Sequence, residues 1–167
     1  MSDIGTYSFM LNGNEVTVEC PANLRVLWVL RDILGIHGPK YGCGLDVCKA
    51  CTCHIDGEAF NPCSVEVQDI AGRNITTIEG LPATAGNGAE LHPIQEFWIK
   101  HDVAQCGYCQ PGQIMAAVAL VDRLRIEQGG TGPVTVTDDD LDSLRNVCRC
   151  GTYYRIRQAI RDYASSL

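Results

Sequence analysis

Apolar and polar residues alternate from Thr6 to Leu11, which places Tyr7, Phe9 and Leu11 on one face of a strand. Val16 and Val18 alternate on the return, and Asn12-Gly13 between the two runs is a tight-turn signal, so the pattern predicts a β-hairpin. The period then lengthens. Leu24, Leu27, Leu30 or Arg31, and Leu34 repeat at helical spacing, with Asn23 placed to cap the helix and Gly35 to stop it. Trp28 adjoins that stripe and is expected to pack the helix on a sheet. A second hairpin should turn at Asp56-Gly57, and Val65 with Val67 and Ile75 with Ile78 mark further short strands. Together these predict a small mixed domain ending near Gly80, followed by a linker over Pro82–Gly88.

The second half reads as helical. Pro93 suits the first turn of a helix running through Trp98 to about Lys100, and Pro111 suits another start. Ile114, Val118, Val121, and Leu124 or Arg125 repeat at helical spacing to about Glu127, where the glycines at 129, 130 and 132 end the helix. Thr137 with Asp140 resembles a capping box for Leu141 to Leu144. Thr152 can cap a final helix that buries Tyr153, Ile156 and Ile160. The fold class expected is α+β, with four C-terminal helices forming a compact bundle.

Composition narrows the function. A chain with 46% hydrophobic and 20% charged residues can build a packed core. A net charge of −7 argues against nucleic acid, whose phosphates need clustered Lys and Arg. No apolar run approaches the roughly 20 residues of a membrane span, and Met1 to Gly5 lacks the start of a signal peptide. Ten cysteines in such a chain point to metal chemistry rather than a disulfide framework.

Their spacing is specific. Cys43, Cys48 and Cys51 follow C-x4-C-x2-C, the opening of the plant-type [2Fe–2S] pattern, and Cys63 follows after eleven residues. Gly42 and Gly44 let that loop turn its amide N–H groups toward the sulfurs. Cys106 and Cys109 form a C-x2-C pair, and Cys148 and Cys150 a C-x-C pair 38 residues further on. Each pair stands just before a predicted helix, among free N–H groups and a positive dipole end that suit a negatively charged cluster. Cys20 and Cys53 are left over and read as small buried hydrophobes.

Zinc held by four cysteines is the first alternative, though zinc knuckles ordinarily pair two short C-x2–4-C units. A thioredoxin-like pair at Cys106 and Cys109 would leave Cys148 and Cys150 unexplained. A Rieske centre needs two His ligands, and His37, His54, His92 and His101 show no such spacing. Asp138-Asp139-Asp140 reads as a helix start. No G-x-G-x-x-G motif marks a nucleotide site.

Lys40-Tyr41-Gly42-Cys43-Gly44, Cys48-Lys49-Ala50-Cys51-Thr52, Asp56-Gly57 and Cys63 resemble the first-cluster region of a known family. Thr77-Ile78-Glu79-Gly80-Leu81, Gln105 to Gly112 and Cys148-Arg149-Cys150-Gly151-Thr152 extend the match. Over nearly its whole length the chain resembles the small iron–sulfur subunit of the molybdenum hydroxylases, the xanthine oxidase family. Leu27 to Asp32 and the Cys148 to Tyr153 segment resemble most the branch containing isoquinoline oxidoreductase and related aldehyde dehydrogenases.

The resemblance implies a β-grasp plant-type ferredoxin domain over residues 1–81, a linker over 82–92 and a helical domain, a four-helix bundle, over 93–167. It implies an outer [2Fe–2S] cluster on Cys43, Cys48, Cys51 and Cys63, and an inner one on Cys106, Cys109, Cys148 and Cys150. Gln105 and Cys150 would contact the pterin of a molybdopterin cytosine dinucleotide held mainly by a large partner subunit. Electrons would pass from that Mo–pterin centre, where an aldehyde or N-heteroaromatic is oxidised, through both clusters to a cytochrome c or a flavin subunit. The branch resembled favours the cytochrome. A freestanding ferredoxin-like carrier and a zinc-stabilised interaction module are the rival functions. By its own sequence the chain is expected in the cytoplasm, or in the periplasm if an exported partner carries it. Two positions depart from the family. Lys49 stands where glycine is usual and would raise the outer potential, and Cys53 replaces an aliphatic residue.

Overall fold

The computed structural model describes residues 4–86 and 88–167. Met1 to Asp3, part of the signal-peptide reading, and Asn87, inside the expected linker, lie outside the described residues. Among the described residues, β1 (Ile4–Leu11) and β2 (Asn14–Pro21) pair antiparallel, with Phe9 opposite Val16 and Tyr7 opposite Val18. Asn12 and Gly13 both adopt positive φ, 50° and 82°, as the two-residue turn requires. β3 (Cys53–Ile55) and β4 (Glu58–Phe60) form the second hairpin around Asp56-Gly57. β5 (Asn74–Thr76) lies between them and β1, parallel to β1 and antiparallel to β3, giving the order β2-β1-β5-β3-β4.

Three expectations in this half change. The first helix, α1 (Val26–Trp28), has Arg25 rather than Asn23 at its N-cap position and continues as a π-helical turn over Val29–Ile33. Arg25 is held extended by a bridge to Glu66, so the chain cannot coil earlier. Gly35 does end the element at φ 69°. Trp28 is only half-buried and stacks on Tyr41, centroids 5.0 Å apart, instead of entering the sheet core. Val65 and Val67 form no strand: Val67–Ile70 is a 3₁₀ turn, and Ile78 falls beyond β5 to pack on the helical core.

The expected linker opens with a helical turn, α2 (Leu81–Thr84), anchored by the fully buried Leu81. α3 (Pro93–Lys100) begins at Pro93 as expected, behind a capping box of His92 and Gln95. α4 (Gln110–Glu127), α5 (Asp138–Asp142) and α6 (Tyr153–Ser165) follow. Thr137 caps α5 with the expected box, which closes at Asp142 rather than reaching Leu144. Thr152 precedes α6 but makes no side-chain cap.

α4 is the central element. It packs on α3 and α6 on one side and on β3 and β4 on the other. Met115, Ala116, Ala117 and Leu120 are therefore buried beside the expected stripe of Ile114, Val118, Val121 and Leu124. One apolar core fills the sheet half around Phe9, Leu30 and Ile75, and a second fills the helical half around Ile94, Met115 and Ile160. Cys20 and Cys53 are buried in the first.

Candidate metal centres

The loop after α1 wraps its own sulfurs. Cys43 Sγ accepts from the amides of Leu45, Val47 and Cys48 at 3.4, 3.2 and 3.3 Å, and Cys48 Sγ accepts from the Cys43 amide at 3.3 Å. Gly42 is required here: a Cβ on it would lie 2.6 Å from Cys48 Sγ. Lys49 adopts φ 59°, a conformation that strains a non-glycine residue by about 1–2 kcal/mol. Its ammonium pairs with Asp46 at 2.8 Å, so the extra cation at this loop is partly balanced by a neighbouring anion.

The sulfurs meet two by two. Cys43 neighbours Cys48, and Cys51 neighbours Cys63 under Leu27. In the helical half Cys106 neighbours Cys150, and Cys109, the residue before α4, neighbours Cys148, just before α6. Among the described residues, no three His, Cys, Asp or Glu side chains gather as a single ion would need. Two thiolates per metal, in two neighbouring pairs, suit a di-iron cluster held by four cysteines.

The pairs are electrostatically uneven. Burial pushes the Cys43 thiol up, but the three amide hydrogen bonds outweigh it and bring it down to about 6. Burial likewise opposes, without overcoming, the Thr152 hydroxyl and amide that bring Cys148 down to about 7. Cys51 and Cys109 are pushed up to about 12, burial being the largest cause for each. Such thiols give up their protons only to a bound metal, so loading releases protons.

Two protein families match this chain: a 2Fe-2S iron-sulfur cluster binding domain over residues 9–75 and a [2Fe-2S] binding domain over residues 77–161. The alpha subunit of isoquinoline 1-oxidoreductase from Brevundimonas diminuta is 44% identical over 91% of this chain and 93% of its own length. The corresponding subunit of nicotinate dehydrogenase from Pseudomonas putida is 43% identical over 96% of each chain. The chain belongs to the small iron–sulfur subunits of the molybdenum hydroxylases. Quinoline 2-oxidoreductase from Pseudomonas putida 86 has the same fold, with a TM-score of 0.84 and 28% identity over 98% of this chain and 94% of that one.

In this iron–sulfur subunit the two cysteine sites share a seam. The Val147 amide donates to the Cys48 carbonyl at 3.0 Å. Asn146 Nδ2 donates to the carbonyls of Lys49 and Gly112 at 2.9 and 3.0 Å, and Tyr108 Oη to that of Tyr41 at 2.5 Å. Gly112 lets α4 come this close, since a Cβ there would sit 2.5 Å from the Lys49 oxygen. His54 on β3 meets the Met115 carbonyl on α4 at 2.7 Å, and its Nε2 must carry the proton to donate there. Of the residues read from sequence, Gln105 and Cys106 are exposed and Cys150 is half-buried. Asn146 and Gln110 were not legible, because a single amide side chain carries no spacing. The position of Asn146 beside Cys148 was the one available hint.

Proposed function

We propose that the chain is the electron-transfer subunit of a molybdenum-cofactor-dependent hydroxylase or dehydrogenase. It passes electrons from the Mo–pterin centre of a large partner subunit through two [2Fe–2S] clusters to an external acceptor. The observation that carries this reading is the seam. The loop carrying Cys43, Cys48 and Cys51 is hydrogen-bonded to the segments carrying Cys106, Cys109, Cys148 and Cys150, and that closeness supports serial one-electron carriers.

Cys43, Cys48, Cys51 and Cys63 hold the outer cluster in a β-grasp ferredoxin domain over residues 1–81. Cys106, Cys109, Cys148 and Cys150 hold the inner one in a domain over 93–167 whose helices act as a four-helix bundle, joined through 82–92. When bound, each cluster supplies acceptance and release of one electron. The chain's own part is to place sulfurs, aim amides at them and keep water from Cys51 and Cys63, both buried beneath Leu27. Exposure of Gln105 beside Cys106 supports a role for Gln105 and Cys150 against the pterin of a molybdopterin cytosine dinucleotide bound mainly by the partner. The relatives are named for isoquinoline and nicotinate, which supports an N-heteroaromatic substrate, with aldehydes the second class. A cytochrome c or a flavin subunit is the acceptor. No helix among the described residues is long and apolar enough to cross a membrane. The cytoplasm is the proposed compartment, or the periplasm where an exported partner carries this protein.

Iron and acid-labile sulfide analysis of anaerobically purified protein, with EPR of the reduced state, tests this. Cys43→Ser should abolish one signal and Cys106→Ser the other. Zinc in place of iron, or a single signal lost in both variants, would refute the two-cluster reading. Co-purification with a molybdopterin-binding chain separates the subunit from a freestanding carrier.

A further inference from the structure

We propose that Gln110, locked in orientation by Trp98, raises the reduction potential of the inner cluster through a hydrogen bond to Cys109; this rests on the two-cluster reading above. Trp98 on α3 and Gln110 at the start of α4 are 5% and 7% exposed. Trp98 Nε1 donates to Gln110 Oε1 at 2.7 Å, and Gln110 Nε2 donates to Cys109 Sγ at 3.2 Å. An indole N–H can only donate, so it must meet the oxygen end of the amide. The NH₂ end is thereby left facing the sulfur, and the amide has no free choice of flip.

Pro111 comes next in the chain and brings no backbone N–H to this end of α4. The Gln110 side chain supplies a further donor to Cys109 Sγ, beside the backbone amide of Cys109, at a helix end where Pro111 offers none. A donor to a ligating sulfur stabilises the more negative, reduced cluster and so raises its potential. Burial strengthens the bond, because water does not compete for either end. The outer site draws on three backbone amides at Cys43, whereas the inner site adds the Gln110 side-chain amide at Cys109 to backbone donors such as the Thr152 amide at Cys148.

A pocket of about 420 Å³ bordered by Leu91, Gln95, Trp98, Ile99, Gln110 and Ile114 adjoins the pair, so a truncation would let water in as a substitute donor. Gln110→Met keeps the bulk and removes the donor. EPR-monitored redox titration of the full-length, cluster-loaded protein reads both clusters at once. In Gln110→Met the inner midpoint should fall by about 59 mV, a tenfold loss of reduced over oxidised form for a one-electron couple, with the outer midpoint unmoved. Trp98→Phe, which frees the amide to turn, should lower the inner midpoint by less. Gln110→Glu, retaining the indole's acceptor but facing the sulfur with negative charge, should lower it as well and serves if the Met variant does not fold. An inner midpoint unchanged in the folded variants, even with a lower melting temperature, would make the pair merely structural and overturn the inference. Absence of a second EPR signal in the unsubstituted protein is a different result. It refutes the two-cluster reading itself, and this inference with it.

Discussion

The amide of Val147 donates to the carbonyl of Cys48 at 3.0 Å, so the residue next to Cys148 is bonded to the backbone of a cysteine in the other site. The bonded route from Cys48 to Cys148 thus crosses one hydrogen bond and one peptide unit. Asn146, Gly112 and Tyr108 hold that contact in register from either side.

Asn146 is the clamp of this seam. Asn146→Asp keeps the shape but turns a donor toward two carbonyls into an acceptor. Those carbonyls have other donors nearby (Thr52 already serves Lys49), so the expected loss is about 1–3 kcal/mol rather than collapse. Anaerobic thermal unfolding should show a lowered midpoint, with the spectrum of the outer cluster perturbed. Asn146→Ser, which retains a short donor, should lose less.

Gly112 should tolerate no side chain. A Cβ there would meet the carbonyl oxygens of Lys49 and Ala50 at 2.5 and 2.8 Å, both backbone atoms that cannot swing aside. Gly112→Ala should destabilise by about 1–3 kcal/mol through overpacking. The displaced loop carries Cys48 and Cys51, so the outer EPR signal should broaden before the inner one does.

Lys49 and Asp46 should shift the outer potential in opposite directions. Loss of the cation in Lys49→Gly should lower the outer midpoint and relieve the left-handed strain. Loss of the anion in Asp46→Asn should raise that midpoint by uncovering the ammonium. Redox titration of the two variants checks both signs, and the double variant should fall between them.

Stability should decline as pH drops below about 6.5. Burial holds the imidazoles of His54 and His92 below their ordinary value, so the folded state binds fewer protons there than the unfolded chain. That penalty appears as pH falls through the unfolded histidine value and grows toward the depressed folded ones. Burial raises the Asp122 carboxyl beside them, so its protonation works the other way, and only at lower pH, near the carboxylate range. Melting temperature followed from pH 8 to 5.5 should fall, and His54→Asn, which keeps a donor but does not titrate, should flatten the slope.

Much of this was legible in the chain. The Asn12-Gly13 and Asp56-Gly57 turns, Gly35 as a helix stop and Pro93 as a helix start are local chemistry, and each stands where the pattern puts it. The cysteine spacing marked out the candidate sites, because residues of one short loop must lie close in space, while the meeting of Cys109 with Cys148 is supplied by the fold. What was not legible depends on distant partners. Arg25 is held extended by Glu66, far along the chain, which delays α1 beyond Asn23. Ile78 obeys the helical core rather than continuing β5. His92 reads as a lone histidine, yet it caps α3, a role visible only once Gln95 answers it. The second buried face of α4 belongs to the hairpin of β3 and β4, which no helical stripe could announce.

Because α4 is covered on both flanks, the two halves of this protein are not interchangeable cassettes. A hybrid joining the sheet half of one homologue to the helices of another would have to inherit matched partners for Gly112, Met115 and Asn146 at once. A substitution on one side of the contact therefore has to be answered on the other, and packing as well as hydrogen bonding fixes how far apart the two cysteine sites lie.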